Sequence, residues 1–183
     1  TLSIYASVAD SLYLGNSLPI REWGQFAQLD YPVEHVRANR GANGIDGQLS
    51  TWIGLTHGLD SSWCVLGDLT ALYDMSAPIL LDGCDGKDRV IIIINNGGGR
   101  IFERLPNVKK MSEPTQKIVS NEHQFSFKGW AEMWELDYQY VGSADEIEIE
   151  GGDTPKVVEV VPCKKQTADF WAAYAALEIA DEV

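Results

Sequence analysis

Two apolar runs that end on polar residues restrict this chain to one kind of architecture. Trp63-Cys64-Val65-Leu66 leads into Gly67-Asp68, and Val90 followed by four isoleucines leads into Asn95-Asn96-Gly97-Gly98-Gly99. Short, continuous runs of this kind, bounded by glycine, read as strands buried on both faces of a parallel sheet. The stretch between them is long enough for a crossover helix, so the two runs form one strand–helix–strand unit. Asp68 and Asn95 then stand at the carboxyl ends of neighbouring strands, where doubly wound sheets bind ligands. A hard divalent cation takes oxygen donors at about 2.1 Å in an octahedron completed by ligand phosphates and water. The Asp68 carboxylate, the Asn95 amide oxygen and the Gly97 carbonyl would supply three. The alternative, from these residues alone, is an Asp that caps the helix after it and an Asn-Gly turn.

The same rhythm runs through the chain. Strands are predicted at residues 11–14, 34–38, 63–66, 89–94, 138–141 and 157–161, and helices at 19–29, 47–56, 70–75, 128–135, 144–149 and 167–177. Alternation of this length predicts an α/β fold: a doubly wound, mostly parallel six-stranded sheet with helices on both faces. Residues 1–10 read as the end of a preceding linker or helix, residues 11–183 as one domain, and the whole as a piece of something longer. Residues 82–88 are expected to form an exposed connection. Residues 103–122 have weak periodicity and read as a mobile loop, with an ordered lid as the alternative.

Composition narrows the partners. With 183 residues and 45% hydrophobic content the chain can bury a sizeable core. A net charge of −13 argues against a nucleic-acid backbone or an anionic lipid surface, since both call for clustered Lys and Arg. Cys64, Cys84 and Cys163 are widely spaced, which indicates neither a disulfide framework nor a zinc site and fits a reducing, cytoplasmic setting. The longest aliphatic run, residues 90–94, is far too short to span a bilayer. His35, His57 and His123 have no metal-ligand spacing and read as structural or surface groups.

At the pair Gly67-Asp68 and Asn95-Asn96 the chain resembles the thiamin diphosphate enzymes, with Leu69 where many of them have Gly. Three blocks point to one branch: Leu14-Gly-Asn-Ser17-Leu-Pro-Ile-Arg21, Ala38-Asn-Arg40-Gly-Ala-Asn-Gly44-Ile45-Asp46-Gly47, and Gly67-Asp68-Leu-Thr-Ala-Leu-Tyr-Asp74. In order and in register they resemble the carboxy-terminal domain of the MenD family, the 2-succinyl-5-enolpyruvyl-6-hydroxy-3-cyclohexene-1-carboxylate synthases of menaquinone biosynthesis. The resemblance runs from about residue 11 to residue 177. It implies a transferase that joins decarboxylated 2-oxoglutarate to isochorismate with thiamin diphosphate and Mg2+ or Mn2+. Other partners implied are the pyrimidine-binding and central domains of the same protein, and a further copy in a homo-oligomer.

The resemblance also assigns roles. It makes Asp68, Asn95 and the Gly97 carbonyl the cation ligands, and Gly67, Leu69, Thr70, Asn96 and Gly98 cofactor contacts, with diphosphate oxygens at a helix start. Ile45 would stand behind the bent cofactor; read from the residues alone, it is one more core aliphatic. Asp46 reads as a helix cap. Ser17, Arg21 and Arg40 would line a substrate pocket, where an Arg fork suits a carboxylate. On a helix surface Arg21 is otherwise a solvated charge. Ile101 and Phe102 would lie over the active centre. The Glu that activates the cofactor is expected outside these residues, so the chain alone is expected to be inactive. The remaining readings are another thiamin-dependent 2-oxo acid decarboxylase or carboligase, and a non-catalytic anion-binding α/β module.

Overall fold

The computed structural model describes residues 3, 6, 9–28, 33–84 and 87–181. Most of the expected 1–10 segment, residue 29 of the helix expected at 19–29, and residues 85 and 86 of the 82–88 connection lie outside the described residues.

Six strands form one sheet: β1 (Ser11–Leu14), β2 (His35–Arg37), β3 (Ser61–Gly67), β4 (Asp88–Ile94), β5 (Asp137–Val141) and β6 (Lys156–Val160). Their order is β2-β1-β3-β4-β6-β5, and every neighbouring pair is parallel. Between them run α1 (Leu18–Phe26), α2 (Gln48–Leu55), α3 (Asp68–Leu72), α4 (Pro106–Lys109), α5 (Glu113–Ser120), α6 (Lys128–Met133) and, after β6, α7 (Lys164–Asp181). The α/β fold expected from the sequence is therefore the one observed, with a sheet that is parallel throughout.

Side chains alternate across the central strands and feed two cores. Cys64, Leu66, Ile91, Ile93 and Val157 pack with Leu49, Trp52 and Ile53 of α2 and with Trp130 and Ala131 of α6. Trp63, Val65, Val90, Ile92 and Val158 face the other way, toward Ile20 and Trp23 of α1. A strand sandwiched in this way has no polar face, which explains the unbroken apolar runs in β3 and β4.

Sheet order reverses between β1 and β3, because the chain leaves β1 toward β2 and leaves β3 toward β4. Register brings the strand ends level, with Leu14 beside Val65, Gly67 beside Ile94, and Ile94 beside Val160. The loops after β1, β3 and β4 thus open onto one crevice.

Three expectations fail locally. Residues 144–149 form only a 3-10 turn, Ala144–Glu146, closed by a capping box from Ser143. Beyond it Ile147 and Ile149 pack into the second core at a period of two, so burial overrides the helix. Residues 103–122 are not a loop: they hold the end of a 3-10 turn (Arg100–Arg104), α4 and α5. Pro106 and Pro114 start the two helices, and Asn121, at φ 47°, ends the second. Asp46 does not cap α2, whose N-cap is Gly47 at φ 65°. Asp74 caps it from outside, accepting bonds from Ser50 N at 2.7 Å and Ser50 Oγ at 2.9 Å.

Candidate functional site

A cavity of about 450 Å3 fills the crevice at the β1/β3 switch point. Of the residues singled out in the sequence, Ser17, Arg21, Ile45, Gly67, Asp68, Leu69, Thr70, Asn96, Gly98, Ile101 and Phe102 line it, while Arg40, Asn95 and Gly97 do not. A larger cavity of about 990 Å3 shares Asn96 and Arg100 but is walled by β6 and α7 and lacks Asp68. The smaller one takes in the amino end of α3, with Gly67, Asp68, Leu69 and Thr70 in its lining.

Asp68 is the fixed point. Its carboxylate is buried and bound three times by backbone: Oδ1 accepts from Leu69 N at 2.7 Å, and Oδ2 accepts from Gly97 N at 2.7 Å and Gly98 N at 2.9 Å. A carboxylate has about four lone-pair sites, so one on Oδ1 stays open. The loop can approach this closely because Gly98, at φ 131°, leaves room where a Cβ would sit 2.6 Å from Ser120 O.

The neighbouring asparagines divide their tasks. Asn95 turns its amide away from the cavity, donating to Phe125 O at 2.8 Å and Glu159 Oε1 at 2.5 Å. Asn96 lines the cavity, and its Oδ1 is a buried acceptor with no hydrogen-bond partner. The carbonyls differ in the same sense. Gly97 O already accepts from His123 N at 3.3 Å and Arg100 Nη2 at 3.4 Å, whereas Gly98 O accepts only from Arg100 N at 2.9 Å among the described bonds. The expected pair, Asn95 and Gly97, is thus committed to holding the loop. Lining the cavity in their place are the residues one further on, Asn96 and Gly98.

His123, expected to be a structural or surface group, lies against the site. Its Nδ1 accepts from Phe125 N at 3.2 Å, so the proton of the neutral ring is on Nε2. That nitrogen is 3.2 Å from Asp68 Oδ2, off the line of a hydrogen bond.

A second polar cluster builds the opposite wall. Asn16 and Gln48 are both buried. Asn16 N donates to Gln48 Oε1 at 2.8 Å, and both side-chain amides converge on Gly44 O, at 2.8 and 2.7 Å. This knot fixes the turn carrying Ile45, which lines the cavity and belongs to neither core. Arg40 Nη1 donates to Asn16 Oδ1 at 2.7 Å, so Arg40 is tethered beside the cavity. Arg21 Nη1 donates to Ser17 O at 2.9 Å. Ser17 itself has φ 74°, a costly backbone for a residue other than Gly and one concentrated at binding sites.

Sequence reasoning passed over Asn16, Gln48 and Glu159, and read His123 as a structural or surface group. Glu159 carried a signal: it is the one charged residue among the apolar positions of Val157-Val158-Glu159-Val160-Val161. In a strand covered on both faces, a carboxylate needs a purpose-built set of donors.

No helix among the described residues is long and apolar enough to cross a membrane. Among them, too, no cluster of three or more His, Cys, Asp or Glu side chains is placed to hold an ion. A cation here would rest on one carboxylate and neutral oxygens.

No family model matches the chain. Curated relatives do. A 2-succinyl-5-enolpyruvyl-6-hydroxy-3-cyclohexene-1-carboxylate synthase of Akkermansia muciniphila is 42% identical over 170 residues, covering 91% of this chain and 32% of the relative. The protein of the same name from Bdellovibrio bacteriovorus is 44% identical over 169 residues, covering 91% and 30%. That of Bacteroides thetaiotaomicron is 36% identical over 174 residues, covering 90% and 30%. The chain spans about a third of the length of these relatives. Across nine-tenths of its own length, then, this chain belongs to the 2-succinyl-5-enolpyruvyl-6-hydroxy-3-cyclohexene-1-carboxylate synthase family, of which it represents one section.

Proposed function

We propose that residues 11–183 are the diphosphate- and cation-binding domain of a thiamin diphosphate-dependent transferase. The complete enzyme would be a cytoplasmic synthase joining decarboxylated 2-oxoglutarate to isochorismate. One observation carries this reading: Asn96, whose Oδ1 is a buried acceptor without a partner, lines the same cavity as Asp68 and the start of α3. That donor set fits Mg2+ or Mn2+, which favour carboxylate and neutral oxygens. Asp68, Asn96 and the Gly98 carbonyl would hold the cation in place of the trio expected from the sequence. The Thr70 hydroxyl and the amides at the amino end of α3 would take diphosphate oxygens. Bound there, thiamin diphosphate supplies the electron sink for loss of CO2 from a 2-oxo acid.

The chain's own residues position and enclose. Ile45, held by the Asn16–Gln48 knot, supports the cofactor. Arg21 and Arg40 offer guanidinium forks to substrate carboxylates, and Ile101 and Phe102 exclude water. The activating Glu and the remaining walls would come from the pyrimidine-binding and central domains and from a second copy in a homo-oligomer.

The test is a reconstitution. The complete protein, supplied with thiamin diphosphate and Mg2+, is expected to consume 2-oxoglutarate and isochorismate together, and residues 1–183 alone to consume neither. Decarboxylation of a different 2-oxo acid, with isochorismate ignored, would assign the chain to another carboligase.

A further inference from the structure

Glu159 is 1% exposed and lies on β6, separated by β4 from the strand that leads into the Asp68 helix, and outside the cavity lining. A carboxylate this deep is tolerated only when donors saturate it. Four do. Oε1 accepts from Asn95 Nδ2 at 2.5 Å; Oε2 accepts from Ser126 Oγ at 3.0 Å, Phe127 N at 3.1 Å and Tyr138 Oη at 2.5 Å. Burial, reinforced by the bond to Glu159, pushes the Tyr138 phenol up to about 12, so it remains a donor at neutral pH.

The division between the two oxygens is informative. The Oε2 side joins β5 and the 126–127 turn, which is architecture. Among the described residues, the Oε1 side reaches only Asn95. Asn95 is further pinned by its own N–H to Val160 O at 2.8 Å, and its amide also holds Phe125 O. Phe125 N in turn fixes the ring of His123, whose Nε2 faces Asp68. Glu159 therefore governs both flanks of the cavity's floor: the strand end that presents Asn96, and the turn that sets His123 against Asp68.

We propose that Glu159 is a positioning residue for the cation site, acting through Asn95 to set Asn96 in the cavity lining and to hold the Gly97 and Gly98 amides on Asp68. This rests on the cation reading given above. Outer partners that orient ligands typically change metal affinity by about 10–100-fold when lost.

Glu159→Gln in the complete protein separates this role from a structural one. The backbone N–H of Phe127 cannot rotate, so the Gln oxygen is drawn to the Oε2 position and its NH2 group faces Asn95. The Asn95 amide must then flip or move. Mn2+ binding is read by electron paramagnetic resonance in the presence of thiamin diphosphate, alongside the melting temperature. Ser126→Ala serves as the control, since it removes a donor from Oε2 without touching Asn95.

The expected result is about tenfold weaker Mn2+ binding in Glu159→Gln and in Asn95→Ala, with little further loss when the two are combined. Ser126→Ala should bind Mn2+ as wild type does. Turnover of Glu159→Gln should recover at saturating Mn2+, because no group that touches substrate has changed. Unchanged Mn2+ affinity in a folded Glu159→Gln protein, or losses that multiply in the double variant, would overturn the proposal. If Glu159→Gln does not fold, unchanged affinity in Asn95→Ala overturns it equally, and weakened affinity there upholds it. Absence of Mn2+ binding by the wild type would remove the cation site itself, and the proposal with it.

Discussion

Two arginines, Arg21 lining the cavity and Arg40 beside it, are each already oriented by the protein. Arg21 folds back onto Ser17 O, and Arg40 is tethered to the buried Asn16. A guanidinium has five N–H donors, so both retain donors for a carboxylate. Arg21→Ala or Arg40→Ala in the complete enzyme is expected to weaken use of a carboxylate substrate by about 1.5–3 kcal/mol, the scale of a hydrogen bond to a charged group. Cofactor affinity should stay nearly intact, and steady-state kinetics with each substrate varied in turn would show the split. Equal loss of cofactor binding would make these arginines structural. At this scale the sequence was legible where a residue type leaves little choice. Asp68 is a carboxylate at the end of a buried strand, and its position follows from that. The choice between Asn95 and Asn96 does not, because adjacent residues leave a strand end on opposite sides. Partners distant in sequence, Phe125 and Glu159, show which asparagine is taken up by the architecture.

Elements were readable wherever the pattern and the burial agree. β3 and β4 declare themselves through runs that no amphipathic helix or half-exposed strand would carry, and their ends set the crevice. Residues 144–149 misled because their acidic residues suit a helix, while the two isoleucines between them are claimed by the core at strand spacing. Residues 103–122 misled for a different reason: α4 and α5 are short, exposed over most of their length and held by a few contacts, such as Gly99 N to Ser120 O at 2.6 Å. Such pieces have little periodicity to read. The capping of α2 was equally invisible, since Asp74 acts from after the next strand. Asp74→Ala removes that cap and is expected to destabilise the domain by about 1 kcal/mol, the usual cost of a lost side-chain cap. A lower urea midpoint with an unchanged slope would register it.

For the molecule as a whole, charge decides what the cavity requires. A chain of net charge −13 repels a diphosphate at long range, and the cavity adds a carboxylate of its own. Helix-start amides would offset part of this, and under the proposed function a divalent cation between Asp68 and the diphosphate would turn repulsion into attraction. The sheet brings the necessary parts together by topology: β1 delivers Ser17, β3 delivers Asp68 and Thr70, and β4 delivers Asn96. The most direct measurement is calorimetric titration of the complete protein with thiamin diphosphate, with and without Mg2+, in wild type and in Asp68→Ala. Binding by the wild type only when Mg2+ is present, and loss of that binding in an Asp68→Ala protein that still folds, is the predicted result; equal affinity in the two proteins would contradict it.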